Sequence, residues 1–199
     1  MNILSATIVD EPTPTDQISL NSLKTFLRVD YDADDAVISA MLTAAWKAAE
    51  NYCSRLFEAR TVEVVFQSYE NEYDGIHILT NQEYPLPYFP VGSINSVKSR
   101  DDEGTETTLT LNSEYFLISP APNAIIRLVN LATMYTASLP TYIVNYEAGY
   151  ASAPEPVLEA IKLQVAYMYE NRGNSAISQY GSMTADVRAL LSGYRNPVV

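Results

Sequence analysis

The chain has 199 residues and carries 24 Asp and Glu against 12 Lys and Arg, so its formal net charge at pH 7 is −12. Its one Cys (Cys53) excludes an intramolecular disulfide, and its one His (His77) excludes zinc sites built from three or four Cys and His ligands. The negative charge opposes a broad electrostatic hold on nucleic-acid phosphates, which needs Lys and Arg. We therefore expect an acidic globular protein that DNA can pass near without specific binding.

The N-terminal segment, residues 1–18, predicts an extended arm because Pro12 and Pro14 lie among polar residues with no helical period. Ser19 then precedes apolar residues at helical spacing, which predicts a short helix over 19–28 capped by the Ser hydroxyl. No basic residue precedes the first apolar run, so we expect no secretory signal. Apolar runs elsewhere fall well short of the ~18 residues of a membrane span.

The acidic run over residues 30–35 has Asp at alternate positions, as does the start of a calcium-binding loop. An EF-hand loop needs Gly at its sixth position and Glu at its twelfth, where this chain has Asp35 and Met41. We therefore interpret the run as a turn and helix cap, in which Asp34 or a neighbour accepts from free backbone N–H groups. Apolar residues at three- and four-residue steps then predict a long helix over about 34–58, with Cys53 as a small buried residue.

From Thr61 the apolar period changes towards two, and the short segments are β-branched and Tyr-rich. The predicted strands are 61–69, 76–79, 93–99, 105–111, 114–118, 124–129 and 141–147. Gly104 follows an acidic turn and predicts a hairpin over 93–111. Pro85, Pro87 and Pro90 remove ladder donors, so their segment is expected at an edge or as a crossing.

Helical spacing returns after the strands. Prolines at 154 and 156 suit a helix start, and a wide apolar face predicts a helix over about 155–171. A polar loop over 173–181 leads to a last predicted helix near 184–193, which leaves residues 196–199 as a C-terminal tail.

Together these elements predict an α+β fold, with a small helical bundle formed by the N- and C-terminal helices and an antiparallel β subdomain inserted between them. The predicted boundaries are 1–18 for the arm, 19–60 and 153–195 for the helical core, 61–152 for the β subdomain and 196–199 for the tail.

No motif for catalysis is present. His77 lies between two Ile residues of a predicted strand without a nucleophile elbow, and the seven scattered glycines form no phosphate-binding loop. The Asp and Glu runs suit solvated turns and caps, although 24 carboxylates leave a chance acid pair open. We expect no enzyme activity, no cofactor and no metal.

Several short stretches carry a likeness that extends over about residues 19–195. In chain order they are Leu23-Lys24, Leu27-Arg28-Val29-Asp30, Asp32, Asp34-Asp35, Ile38, Ala44-Ala45, Glu50-Asn51-Tyr52, Arg55, Pro87, Pro90-Val91, Ile94, Val97, Tyr146-Glu147-Ala148-Gly149-Tyr150, Tyr169-Glu170-Asn171-Arg172, Ala189-Leu190-Leu191 and Tyr194-Arg195. Each stretch alone is ordinary helix or turn chemistry. In this order and spacing they resemble the head–tail connector (adaptor) proteins of tailed bacteriophages, prophages and gene-transfer particles.

The resemblance implies a structural protein of the virion, found in the host bacterial cytoplasm before assembly. Such proteins form a ring of roughly a dozen copies. The ring lies below the portal protein, extends the DNA channel and gives the tail, through a tail-completion or stopper protein, its docking surface. It implies no cofactor and no membrane.

Candidate subunit or portal contacts are Arg172, Arg188, Tyr194 and Arg195. Cations are scarce in this chain, so we expect them where carboxylates of neighbouring subunits must be offset, and Tyr, present 15 times, is favoured at interfaces. The alternative interpretation of each residue is a solvated ion pair worth about 0–1 kcal/mol.

Two other functions predict different surfaces. A monomeric binding module that holds a carbohydrate or protein ligand on its β subdomain predicts an exposed aromatic patch around Tyr84, Tyr88 and Phe89. An acid–base enzyme predicts a carboxylate with a raised pKa in a cleft.

Overall fold

The structure is a computed structural model that describes residues 2–10, 13–67, 72–73, 76–77, 82–101, 103–118, 125–128, 141–172 and 183–195. The chain divides into two compact units, each made of two separate stretches of sequence. The β unit comprises Met1–Glu11 and Ala59–Gly149, and the helical unit comprises Pro12–Glu58 and Tyr150–Val199. Helices and antiparallel sheets confirm the α+β prediction. Among the described residues, no helix has both the length and the apolar character needed to cross a membrane.

The helical unit is built around one apolar cluster. Its helices are α1 (Pro14–Gln17), α2 (Leu20–Leu27), α3 (Asp35–Cys53), α4 (Glu155–Glu170) and α5 (Ala185–Leu191), followed by a 3-10 turn (Ser192–Tyr194). Helix α4 packs against both α3 and α5. Leu42, Trp46, Ile161 and Val165 are among the side chains that are almost completely buried between them. The predicted loop over 173–181 and the tail over 196–199 lie outside the described residues.

Local sequence signals predict one helix end correctly and another wrongly. The Ser19 hydroxyl accepts the backbone N–H of Ser22, which confirms the predicted cap of α2. Helix α3 ends at Cys53, so the prediction that it continues to 58 is wrong. Ser54 takes a left-handed conformation with φ 51°, and its N–H donates to the carbonyl of Glu50, which terminates the helix. Phe57 then turns into the core, where apolar burial continues without helical structure.

The β unit contains ten strands among its described residues. They are β1 (Asn2–Ile8), β2 (Arg60–Gln67), β3 (Glu72–Tyr73), β4 (Ile76–His77), β5 (Gln82–Pro85), β6 (Val91–Arg100), β7 (Glu106–Thr108), β8 (Tyr115–Leu117), β9 (Ile125–Leu128) and β10 (Thr141–Ala148). An antiparallel sheet has the order β1-β2-β10-β6-β7, a second has the order β5-β9-β8, and β3 pairs with β4.

The core of the β unit lies on one face of the five-stranded sheet. Val64 and Phe66 alternate with more exposed residues along β2, and both face buried residues of β10 across the ladder. The ring of Tyr84, from the three-stranded sheet, lies 4.8 Å from that of Phe66 and 6.3 Å from that of Tyr142. Aromatic contacts of this kind join the two sheets into one core.

The N-terminal residues do not form the predicted arm. Asn2–Ile8 pair with β2 as an edge strand of the five-stranded sheet, and Pro14–Gln17 form a turn of helix. The arm predicted over 1–18 is therefore wrong for these residues. Their strand partner lies more than 50 residues away in the sequence, so no local sequence pattern indicates the pairing. The prolines, in contrast, are a local signal, and they led to the prediction of an arm.

Turn chemistry predicts the hairpin between β6 and β7 correctly. Gly104 has φ +85°, a left-handed conformation that favours glycine, and the Asp101 carboxylate accepts the backbone N–H of Thr105 at 2.7 Å. Pro85 ends β5, which is an edge strand of the three-stranded sheet, as predicted for the Pro-rich segment.

Candidate assembly interface

The helical unit places Arg172 just after α4, beside two groups that hold its guanidinium. Its Nη1 lies 3.4 Å from the Asp34 carboxylate, and its Cζ lies 4.2 Å from the centre of the Tyr169 ring. Stacking and ion pairing at one guanidinium are typical of Arg and not of Lys. The Arg172 side chain is still 45% exposed, so it remains accessible to a partner.

Asp34 occupies the N-cap position of α3, but its carboxylate is the centre of this polar cluster and does not cap the helix. Its carboxylate makes no capping hydrogen bond to α3; it accepts from the Tyr169 hydroxyl at 2.5 Å and from the Tyr31 hydroxyl at 3.2 Å. The two hydroxyls are themselves 3.0 Å apart. The side-chain cap expected of Asp34 is wrong because the carboxylate is satisfied by the hydroxyls of Tyr169, from α4, and of Tyr31, from the turn before α3.

The cluster shifts the pKa values of Asp34 and Tyr169 in opposite directions. The hydrogen bond from Tyr169 stabilises the carboxylate and lowers the pKa of Asp34 below its usual value. The same bond favours the neutral phenol and raises the pKa of Tyr169 to about 12. Both groups therefore keep their paired forms throughout the neutral range.

Two further carboxylates of the acidic run share a single lysine. Lys24 Nζ lies 2.6 Å from Asp32 and 2.8 Å from Asp35, and its side chain is only 11% exposed. The hydrogen bond from Lys24 holds the pKa of Asp32 below its usual value, and the same bond raises the pKa of Lys24. No group of three or more His, Cys, Asp and Glu side chains in the described part of the chain is arranged to hold a metal ion.

Helix α5 carries the other candidate contacts on a short segment anchored by two apolar residues. The Thr184 hydroxyl accepts the N–H of Val187 at 3.4 Å and begins the helix. Val187 and Leu191 are buried, whereas Arg188, which directly follows Val187 and lies three residues before Leu191, is exposed. The fold therefore presents Arg188 to the solvent and not to the core.

Tyr194 and Arg195 follow α5 and lie against aromatic rings of the helical unit. The Tyr194 ring is half-buried, with an edge-on contact to Phe57 at 6.5 Å. The Arg195 Cζ lies 5.5 Å from the centre of the Tyr52 ring, and the Arg195 side chain is exposed. Tyr194 and Arg195 are contacts predicted from the sequence, whereas the rings that lie against them, those of Phe57 and Tyr52, were not predicted to have this role.

A buried carboxylate fixes the segment that carries Phe57. Glu50 is 7% exposed, and one of its oxygens accepts both the Trp46 indole N–H at 3.1 Å and the Phe57 backbone N–H at 3.0 Å. The Phe57 ring is thereby held where Tyr150 stacks at 6.2 Å and Tyr194 meets it edge-on. Glu50 is an indirect support of the α5 segment that spacing alone could not identify.

The four predicted contact residues therefore occupy two places. Arg172 belongs to the Asp34 cluster at the end of α4, while Arg188, Tyr194 and Arg195 share the segment from α5 to the 3-10 turn. Their role as contacts stays a prediction.

The charges of the β unit are arranged differently. Lys98 Nζ and Arg100 Nη2 both bind the Glu106 carboxylate, at 3.0 and 2.6 Å, and Arg127 Nη2 lies 2.5 Å from Glu83. The β unit has 13 acidic and 4 basic residues, against 11 and 8 in the helical unit. Its exposed cations are thus already matched with carboxylates, and a large negative excess remains.

The features required by the other two functions do not fit the described residues. Tyr84 is 1% exposed, Phe89 is 9% exposed and Tyr88 is half-buried, so these three residues do not form the exposed aromatic patch expected of a ligand-binding module. Three described carboxyl groups, those of Asp32, Asp34 and Glu106, have a clearly shifted pKa, and each is shifted downwards by hydrogen bonds from neighbouring donors. A general acid needs the opposite shift.

Three solved chains with a similar fold come from the neck or the virion of gene transfer agent (GTA) particles. A chain titled as the neck of an empty GTA particle computed with C6 symmetry is 20% identical, with a TM-score of 0.74 over 98% of this chain and 97% of that one. A chain of the virion of a native gene transfer agent (GTA) particle is 21% identical, with a TM-score of 0.71 and the same coverage. A chain of the native GTA neck computed with C12 symmetry is 20% identical, with a TM-score of 0.68 and again the same coverage. No curated protein matches the chain.

The family comparison covers nearly the whole chain. The family model described as "HCP: Head completion protein" matches residues 16–196, which include every helix from α2 to α5 and the sheet strands β2 to β10. This agrees with the predicted resemblance to head–tail connectors. The chain belongs to the head completion protein family and is a structural head–tail component of a phage-like particle.

Proposed function

We propose that this chain is a head–tail adaptor whose copies form a ring below the portal. The ring extends the DNA channel, and its far side receives the tail. The observation that carries the proposal is the head completion family match over residues 16–196. The fold likeness to neck chains of particles computed with C6 and C12 symmetry supports a closed ring of roughly a dozen copies.

The partners that follow are the portal protein on one side and a tail-completion or stopper protein on the other. The protein is then located at the head–tail junction of the virion, after a period in the host bacterial cytoplasm before assembly. Its work is binding and not catalysis, and it uses no cofactor and no membrane.

The charge distribution supports a channel component that does not hold DNA. Non-specific binding to DNA comes from neutralising phosphates with Lys and Arg. The β unit has an excess of nine negative charges and the helical unit an excess of three. A ring of such subunits repels the phosphate backbone, so that DNA passes through without adhering.

The exposed cations of the helical unit supply the subunit or portal contacts in this proposal. Arg188 and Arg195 are exposed beside Tyr194, on the segment supported by Phe57. Arg172 contributes from the Asp34 cluster. Copies of so acidic a chain repel one another, and Arg side chains at the contacts offset carboxylates of the neighbouring molecule.

The experiment that tests the proposal mixes the purified protein with portal-bearing, DNA-filled heads that lack it. Electron microscopy of the portal vertex is expected to show a closed ring of new density. Folded protein that leaves the vertex unchanged would overturn the adaptor assignment.

A charge-reversal variant tests the contact residues separately. Arg188→Glu combined with Arg195→Glu is expected to fold normally and to reduce the fraction of vertices that carry the ring. Arg28→Glu, a single charge reversal, is the control, because Arg28 is also an exposed Arg of the helical unit but directly follows α2 and is not on the α5 segment. Equal ring occupancy for the variant and the control would show that the α5 segment is not a contact.

A further inference from the structure

Two arginine side chains of the helical unit border one cluster of aromatic rings. The Arg55 Nη1 lies 3.5 Å from the Tyr150 hydroxyl. The Tyr150 ring stacks on Phe57, and the Tyr194 ring meets Phe57 edge-on. Arg195 directly follows Tyr194 in the chain. Phe57 therefore connects the segment after α3 with the segment after α5, and each of these segments carries one of the two arginines.

A buried thiol connects the same two segments. The Sγ of Cys53, at the end of α3, donates to the carbonyl of Leu191, at the end of α5, at 3.7 Å. Burial raises the pKa of the Cys53 thiol to about 11, and the positive charges of Arg55 and Arg195 act in the opposite direction. The two charges are therefore grouped near one point of the helical unit.

Neither arginine is paired with an Asp or Glu of the helical unit. All 11 Asp and Glu residues of this unit lie among those that the structure describes. Ion pairs in that part of the chain include those of Lys24, Lys162 and Arg172. No described carboxylate lies within ion-pair distance of Arg55 or Arg195. The helical unit thus leaves two grouped cations unmatched although its acidic residues outnumber its basic ones.

The surroundings of Arg55 make a missing counterion costly. Its side chain is half-buried, and its Nε is shielded from solvent without a hydrogen-bond partner among the described residues. The contact with the neutral Tyr150 hydroxyl is long for a hydrogen bond. A charged group that is partly removed from water is unfavourable unless a counterion or strong hydrogen bonds compensate. A carboxylate from outside the unit would supply both.

We propose that Arg55 and Arg195 together bind one Asp or Glu carboxylate of a second copy of this chain. The inference rests on the proposed adaptor ring and identifies the occupant of one of its contacts. Guanidinium groups bind carboxylates through paired N–H donors, and these charge-assisted hydrogen bonds are stronger than neutral ones. The Tyr52 ring beside the Arg195 guanidinium supports it in position for such a ligand.

Charge and symmetry favour a second copy as the partner. The chain has 24 Asp and Glu against 12 Lys and Arg, so a neighbouring copy offers many carboxylates and few cations. The β unit, with 13 acidic and 4 basic residues, is the richer source. In a ring, one surface of each copy meets a different surface of the next copy, so a contact between a cationic and an acidic surface can repeat around it. The same negative charge disfavours a DNA phosphate as the ligand.

Carbodiimide coupling identifies the carboxylate, because the reagent joins an amine to a carboxylate in contact with it. Arg55→Lys supplies the amine and keeps the positive charge. Unlabelled Arg55→Lys protein is mixed with isotope-labelled parent protein and assembled on DNA-filled, portal-bearing heads that lack this protein. After coupling and digestion, we expect mass spectrometry to show an unlabelled peptide with the new amine joined to a labelled peptide at an Asp or Glu. Arg28→Lys, at an exposed position directly after α2, is the control and is expected to give no such mixed adduct.

The other outcomes separate this contact from the ring itself. An adduct with the portal protein or an adduct confined to one copy overturns the inference. So does the absence of an adduct although the ring is present, which is the result expected of a DNA phosphate in the site. If the parent protein alone forms no ring, the adaptor function fails instead.

Neutralising the charge separates a role in assembly from a role in folding. Since the Arg55 charge has no carboxylate partner in the free helical unit, we expect Arg55→Gln to leave the denaturation midpoint unchanged or higher. The protein concentration that half-fills the vertices is expected to rise at least about tenfold. Lys162→Gln is the matched control, because Lys162 pairs with Glu159 of its own subunit, and we expect a change of less than about twofold. An unchanged half-filling concentration for Arg55→Gln, or a lowered midpoint, contradicts the inference.

Discussion

The helical unit and the β unit use charged residues in different ways. In the helical unit, Lys24 and Glu50 are buried, and each holds a turn or loop through short hydrogen bonds. In the β unit, the ion pair of Glu83 with Arg127 and that of Glu106 with Arg100 lie on strands at the surface. Burial therefore distinguishes these two charged groups of the helical unit from these ion pairs of the β unit, although in the β unit too a carboxylate, that of Asp101, holds a turn.

This difference indicates that the two units are stabilised by different kinds of interaction. In the helical unit, hydrogen bonds and ion pairs of charged side chains stabilise the ends of α3 and α4. These helix ends lie next to the exposed cations of the unit. The β unit depends on an apolar and aromatic core and leaves most carboxylates in solvent. We expect substitutions of charged residues to affect stability in the helical unit and to affect long-range electrostatics in the β unit.

The largest expected effect comes from matched core truncations, one in each unit. Leu42 and Leu128 are both almost completely buried. Replacing either with Ala leaves a cavity and is expected to cost about 2–5 kcal/mol of the free energy of unfolding. Trp46 is the only Trp of the chain and lies in the helical core, so its fluorescence reports on that unit alone.

Denaturant titrations of both variants show whether the two units unfold separately. Leu42→Ala is expected to lower the midpoint of the Trp46 transition, and Leu128→Ala to lower the midpoint of the β-sheet circular dichroism signal. Equal shifts of both signals in both variants would show a single cooperative block and would remove the basis of the comparison.

The next effect concerns the buried carboxylate of the helical unit. Glu50→Ala leaves the Trp46 indole N–H and the Phe57 N–H without their acceptor, which is expected to cost about 1–3 kcal/mol. Glu50→Gln keeps an acceptor oxygen and is expected to lose less. Chemical denaturation of both variants checks the order, and an Ala variant as stable as the parent would contradict the role of this carboxylate.

The sequence predicts these two units unequally well. Helices α2 to α4 follow from three- and four-residue apolar spacing, and the hairpin at Gly104 follows from its turn residues. The end of α3 at Ser54 could not be predicted from the spacing of apolar residues, because apolar residues continue to Phe57. Strand β1 and the bond between Asp34 and Tyr169 were also missed, since each joins residues far apart in the chain.

The Asp34 cluster gives a smaller effect than Glu50, and this effect depends on pH. The lowered pKa of Asp34 makes its contribution complete above its unfolded value of 3.8 and lost as pH falls through the folded value. The raised pKa of Tyr169 makes its contribution complete below 10.0 and lost as pH rises through about 12. The cluster therefore stabilises the helical unit fully between these two limits.

Tyr169→Phe removes the hydroxyl and tests this window. We expect the variant to lose part of the stabilisation at neutral pH and to show a smaller decline than the parent above about pH 10. Denaturant midpoints followed by Trp46 fluorescence across the pH range measure both changes. Tyr52→Phe is the control, because the Tyr52 ring lies under Arg195 and away from the Asp34 cluster. Parallel pH profiles for the parent and Tyr169→Phe would contradict the assigned hydrogen bonds.

The smallest expected effect is that of Glu106→Gln in the β unit. Glu106 binds Lys98 and Arg100, but all three side chains are between a third and a half exposed, and solvent screens such pairs strongly. The substitution is the same chemical change as Glu50→Gln, made at the surface and not in a core. We expect no measurable shift of the denaturation midpoint, at low or high salt. If Glu106→Gln destabilised the protein as much as Glu50→Gln, burial would not be what distinguishes the charges of the two units, and the ion pairs beside β7 would have to be counted as part of the sheet's framework.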